Sequence, residues 1–231
     1  MDRRRGTPRP WGVTMADVDL IVESVESAPF AQNAFVVWQR GGRDALVIDP
    51  GFEPRPILDI LEGHGLRLAA ILNTHGHVDH IAGNGAIKAA FPAVPLMIGR
   101  NEARMLGDPV ANLSAAFGEP VVSPPADRLL DDGDRLELAG LAIEVREIPG
   151  HSPGSVVFVL DDPVPPVVFG GDVLFAGSVG RTDFPDGDAR QLLSGIRARL
   201  YDLPDATVVH PGHGPSTTVG AEKRSNPFVR G

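Results

Sequence analysis

Thr74-His75-Gly76-His77-Val78-Asp79-His80 places four potential metal ligands within six consecutive residues. The segment follows Leu68 to Asn73, an apolar run that reads as a buried strand, so the ligands stand in a loop at a strand end. There His75 and His77 can point the same way and share one cation, while Asp79 and His80 turn toward a neighbouring position. Neutral imidazole nitrogens with a carboxylate suit zinc, iron or manganese. Gly76 permits the close backbone turn this requires. The chain has seven histidines in 231 residues, so three of them inside six positions read as a built constellation.

Three more polar residues share the same local context, an apolar strand ending in glycine. His151 follows Ile148-Pro149-Gly150, Asp172 follows Val167-Val168-Phe169-Gly170-Gly171, and His213 follows Val208-Val209-His210-Pro211-Gly212. Four strand ends delivering ligands to one edge of a sandwich make a workable metal site. The count fits two cations: His75, His77 and His151 on one, Asp79, His80 and His213 on the other, with Asp172 bridging. Asp49, before Pro50-Gly51, caps a turn or orients a ligand loop. His64 reads as a helix-end residue; His210 competes with His213 for the ligand role but reads as its supporting or structural neighbour.

The rest of the chain alternates short elements, in keeping with its 27 glycines and 22 prolines. Strands are predicted at Val18–Glu26, Asn33–Gln39, Ala45–Ile48, Pro95–Gly99, Arg135–Leu138, Ala142–Ile148, Ser155–Leu160, Val167–Gly170 and Thr207–Val209. Helices are predicted at Pro56–Gly63, His80–Phe91 and Ala189–Leu203, the last with Leu192, Leu193, Ile196 and Leu200 at helical spacing. Asp108–Asp127, with four prolines, reads as a long surface loop. Strands dominate in two comparable halves, which points to an α/β protein of two sheets packed face to face with helices outside.

At this point the motifs resemble the metallo-β-lactamase superfamily. The resemblance rests on the His-x-His-x-Asp-His run, Gly150-His151-Ser152-Pro153-Gly154, Gly171-Asp172 and Gly212-His213-Gly214, and covers the chain from about Val18 onward. It implies a single-domain, four-layer αβ/βα sandwich with a two-metal site. More narrowly, Gly171 to Pro185 and the ending from Gly212 to Thr218, followed by Asn226-Pro227-Phe228, are similar to the short bacterial branch of the hydroxyacylglutathione hydrolases (glyoxalase II). That likeness implies a hydrolase acting on S-lactoylglutathione or a related hydroxyacyl thioester, a small-molecule substrate. Two divalent cations about 3.5–4 Å apart can share a water and lower its pKa toward neutrality. Asp79 would bind metal and orient the nucleophile, and Arg181 would hold a substrate carboxylate. The alternative for Arg181 is a surface salt bridge. Zinc is the expected metal, with iron or manganese fitting the same donors.

An iron-dependent persulfide dioxygenase would use one iron on His77 or His75, His151 and Asp172. A lactonase, a β-lactamase and a nuclease share the fold. The net charge of −9 and the lack of a basic stripe argue against nucleic acid. Gly150-His151-Ser152-Pro153-Gly154 also matches a nucleophile elbow, with Ser152, Asp172 and His213 in triad order. An elbow needs a helix directly after the serine, whereas a strand is predicted there. The absence of cysteine excludes disulfides and thiolate ligands. No apolar run approaches about 18 residues, and no secretion-type apolar segment occurs, so a cytoplasmic protein without a membrane partner is expected. Residues 1–17, with Arg3, Arg4, Arg5 and Arg9, read as a disordered extension preceding a domain over 18–231, and Met15 is a second candidate start.

Overall fold

The structure, a computed structural model, describes residues 19–231. The expectation of a disordered extension over 1–17 therefore lies outside the described residues.

Two six-stranded sheets organise the chain. The first runs in chain order as β1 (Leu20–Ser27), β2 (Gln32–Gln39), β3 (Asp44–Ile48), β4 (Arg67–Asn73), β5 (Leu96–Gly99) and β6 (Arg128–Leu130). Strands β1 to β3 pair antiparallel, and β3 to β6 pair parallel. The second holds β7 (Arg135–Leu138), β8 (Leu141–Glu147), β9 (Val156–Leu160) and β10 (Val167–Gly171). A short hairpin, β11 (Leu174–Phe175) with β12 (Ser178–Val179), leads on to β13 (Val208–Pro211) and β14 (Thr217–Thr218), which complete that sheet in the order β14-β13-β10-β9-β8-β7.

Period-two alternation explains the layers. In β2, Phe35 and Val37 join a core between the sheets with Val156, Phe158 and Leu160 of β9. The intervening Ala34, Val36 and Trp38 face the other way, onto Ile57 and Leu61 of helix α1 (Pro54–Gly63). Likewise Val157 and Val159 of β9 pack on Leu192 and Ile196 of a helix spanning Ala189–Arg199. Both sheets are thus buried on both faces, giving the four-layer helix–sheet–sheet–helix sandwich that the resemblance implies. Pro54 starts α1, and Asp188 caps the Ala189–Arg199 helix by accepting from the amide of Gln191 at 3.0 Å.

The structure departs from the predicted elements in several places. The helix expected from His80 to Phe91 is two, α2 (Val78–Ile81) and α3 (Asn84–Ala90). The break falls where Gly83 closes on the Pro50 carbonyl, its amide donating at 2.8 Å, so contact with the Asp49 turn overrides helical continuity. Asp108–Asp127, which follows α4 (Ala103–Gly107), folds back on itself. Asn112 is buried and donates to the carbonyls of Met105 and Val121, each at 3.0 Å. The Ala189–Arg199 helix, α5, ends four residues earlier than expected. Strands β6, β11, β12 and β14 and the C-terminal helix α6 (Val219–Ser225) are additional.

Candidate metal centre

Each predicted ligand leaves a strand end. His75 and His77 follow β4, Asp79 and His80 lie in α2 just beyond, His151 precedes β9, Asp172 follows β10 and His213 follows β13. The structure brings all seven together. Donor atoms of His75, His77 and His151 converge as one group, and those of Asp79, His80 and His213 as another. Asp172 lies between them: its Oδ1 is 3.3 Å from His80 Nε2, and its Oδ2 is 3.5 Å from both His151 Nε2 and His213 Nε2. His213 Nε2 is 3.2 Å from Asp79 Oδ2. Bonds of about 2.0–2.1 Å to a tetrahedral cation leave its ligand atoms about 3.4 Å apart, so these spacings suit a shared ion.

Outer partners orient the imidazoles. His80 Nδ1 donates to Asp49 Oδ2 at 2.9 Å, His151 Nδ1 to the Arg181 carbonyl at 2.9 Å, and His213 Nδ1 to the Phe30 carbonyl at 3.1 Å. The Thr74 hydroxyl donates to Asp49 Oδ2 at 2.6 Å, which leaves its oxygen to accept from His75 Nδ1 at 3.1 Å. In the neutral form of these four histidines, Nδ1 carries the proton and Nε2 is the inward lone pair. His77 instead turns Nδ1 inward, 2.9 Å from His151 Nε2. Asp49 also groups with His75 and His80 as a possible ligand set. Its carboxylate already accepts from the Thr74 amide, the Thr74 hydroxyl and His80. It is an orienting group, as the sequence suggested.

The residues fit a cation by a direct criterion. His75 Nε2 is buried without a hydrogen-bond partner, and His80 Nε2 and Asp172 Oδ1, equally buried, have only each other at 3.3 Å. Such orphaned atoms are costly unless something positive fills the space they share. Burial, reinforced by the neighbouring imidazoles, holds His75 well below its ordinary pKa and pushes His77 down to about 3. Both therefore offer neutral lone pairs at ordinary pH. Burial opposes charge on His80 too, but Asp79, Asp172 and Asp49 outweigh it and raise its pKa. Asp172, despite its burial, is held well below the usual carboxylate range by His80, His151 and His213.

The cluster floors a cleft of about 570 Å³ walled by Phe30, Phe117, Phe175 and Phe184. Phe30 and Phe117 meet edge to face at 5.1 Å. Nothing in the sequence marked Phe30 or Phe117 as wall residues, since their loops acquire a role only on folding. Arg181 lines the same cleft, lies 4.3 Å over the Phe184 ring, and donates from Nε and Nη2 to the two carboxylate oxygens of Asp183 at 2.7 Å each. Both readings of Arg181 thus meet in one place: it is at the cleft, and it is in a surface ion pair. His210 bonds Ser216 at 2.8 Å and stacks on Phe169, a structural position away from the ligand atoms. His64 caps α1 and contacts Glu23 at 3.0 Å. Ser152 is followed by strand β9, which removes the elbow reading.

Comparison with known proteins agrees with this geometry. The family described as the metallo-β-lactamase superfamily matches residues 27–213. The chain is 36% identical over 210 residues to hydroxyacylglutathione hydrolase GloC of Haemophilus influenzae, covering 90% of this chain and 97% of that one. It superposes on the BLEG-1 B3 metallo-β-lactamase with a TM-score of 0.86 at 37% identity, covering 91% of this chain and all of the other. It also superposes on TTHA1623, solved in a di-iron-bound form, with a TM-score of 0.78 at 40% identity, covering 90% and 100%. With its His and Asp groups gathered at the strand ends, the chain is a metallo-hydrolase belonging to the metallo-β-lactamase superfamily.

Proposed function

We propose that the protein hydrolyses a hydroxyacyl thioester, S-lactoylglutathione or a close relative, with two divalent cations as cofactors. His75, His77 and His151 would hold one, Asp79, His80 and His213 the other, and Asp172 would touch both. Similarity to GloC across nearly the whole of both chains carries the choice of substrate. Zinc is the first expectation, and likeness to a protein solved with two irons supports iron as an alternative occupant.

Bound there, such cations would act as Lewis acids and lower the pKa of water toward neutrality. The chain's own groups do the rest. Asp79, at the cleft floor, would orient the attacking water. The phenylalanine walls limit bulk water around the scissile bond, which strengthens the electrostatics acting on it. Arg181 reaches the cleft mouth, where its planar guanidinium suits a substrate carboxylate. An exposed ion pair such as Arg181–Asp183 contributes little and opens readily for that exchange. A thiolate leaves without strong acid assistance.

The test is hydrolysis of S-lactoylglutathione by zinc-loaded protein, with a chelated sample beside it. Metal-dependent turnover of about 10⁴ M⁻¹s⁻¹ or more supports the reading. No turnover in the loaded sample overturns the substrate. Iron loading with oxygen uptake on glutathione persulfide then examines the second reading, a mononuclear iron persulfide dioxygenase, for which likeness to ETHE1 from Myxococcus xanthus, 28% identical with a TM-score of 0.73, is the favouring observation.

A further inference from the structure

Glu102 is fully buried and, among the described residues, forms no ion pair. A buried carboxylate without a cation is expensive unless its oxygens are hydrogen-bonded. Here Oε2 accepts from the amide of Gly76 at 2.8 Å and Oε1 from the amide of Gly154 at 2.6 Å. Gly76 lies between His75 and His77, at the end of β4 in the first sheet. Gly154 lies three residues after His151, on the loop into β9 of the second. Both glycines press on the same turn. A β-carbon would strike the Met105 side chain at Gly76 and the Asn101 side chain at Gly154.

Three imidazoles can share a cation only if loops from two different sheets keep one spacing, with ligand distances good to about 0.2 Å. We propose that Glu102 is the positioning residue that sets this spacing, its rigid carboxylate gripping one amide from each histidine loop. The grip needs two acceptors. Glutamine keeps the shape but offers one acceptor and one donor, so Glu102→Gln turns one of the two contacts into an N–H facing an N–H.

This inference rests on His75, His77 and His151 holding one of the two cations. The test strips the protein of metal and titrates it with cobalt(II), reading equivalents bound and the visible spectrum. Thermal unfolding of the stripped protein is followed in parallel. His151→Ala identifies which equivalent belongs to the three histidines. In Glu102→Gln that same equivalent is expected to weaken about 10- to 100-fold, the usual effect of removing a partner that orients ligands, while the other is retained. Gly154→Ala, which wedges the His151 loop away from Asn101 and so from the neighbouring Glu102, is expected to cause the same selective loss, and it decides the matter if Glu102→Gln does not fold. Two equivalents bound as tightly as before would overturn the assignment to Glu102. So would equal weakening of both in step with a lowered Tm. If the unaltered protein takes up no cobalt, the ligand assignment itself fails.

Discussion

Asp49 and His80 are 31 residues apart in sequence, yet Oδ2 of Asp49 lies 2.9 Å from Nδ1 of His80, both side chains buried. Asp49 leaves β3 with a positive φ of 49°, a backbone conformation that lets its carboxylate also take the Thr74 amide and hydroxyl. One residue thus orients His80 directly and His75 through Thr74. Asp49→Asn substitutes a donor for one of its acceptors. Metal affinity is expected to fall about 10- to 100-fold with the fold retained, measured by chelator competition. Unchanged affinity would contradict the orienting role.

Ser152 is buried beside Ser155 and Glu102, at the start of a loop that leads into a strand. Ser152→Ala is expected to keep most of the hydrolytic activity, because the two backbone contacts to Glu102 remain. A serine nucleophile would instead lose about 10⁶-fold in kcat. Steady-state kinetics on the metal-loaded variant separates the two.

For Arg181→Ala, KM for S-lactoylglutathione is expected to rise about tenfold with kcat little changed, as for a lost charge-assisted contact made equally in ground and transition states. A thioester without carboxylates should show no such rise. A fall in kcat for both substrates would place Arg181 in the chemistry rather than in binding.

Tyr201 is buried, and its hydroxyl donates to the Val229 carbonyl at 2.8 Å. Burial, with Glu222 nearby, pushes its pKa from 10.0 up to about 12. The folded state therefore prefers the neutral phenol. Its contribution is whole below about pH 10 and is lost as pH rises toward about 12. Tyr201→Phe is expected to cost about 1 kcal/mol at neutral pH and to lack this alkaline decline. Urea unfolding at several pH values from 8 to about 12 reads both effects. Parallel alkaline curves for the two proteins would contradict the assignment.

The candidate ligands were legible in the sequence because each sits in a local signature, an apolar strand running into glycine, and because the His75 to His80 run concentrates four donors. The sandwich followed from alternation such as that of β2. What was not legible depends on contacts made only after folding. Glu102 stands in an unremarkable Arg-Asn-Glu stretch and acquires its partners 26 and 52 residues away. The hairpin β11–β12 is two residues per strand, too short for a period. It is held from outside, where Glu222 accepts from the Gly177 amide at 2.9 Å and Asn226 donates to the Ser178 carbonyl at 3.0 Å. The break between α2 and α3 likewise comes from a contact outside the segment, the Pro50 carbonyl, onto which Gly83 closes.

The most direct test of the two-cation centre is a crystal structure of the metal-loaded protein with anomalous scattering at the metal edge. Two peaks are expected, one bonded to His75, His77 and His151, the other to Asp79, His80 and His213, with Asp172 touching both. A single peak, or metal bound elsewhere while these donor atoms stay unligated, would contradict the account.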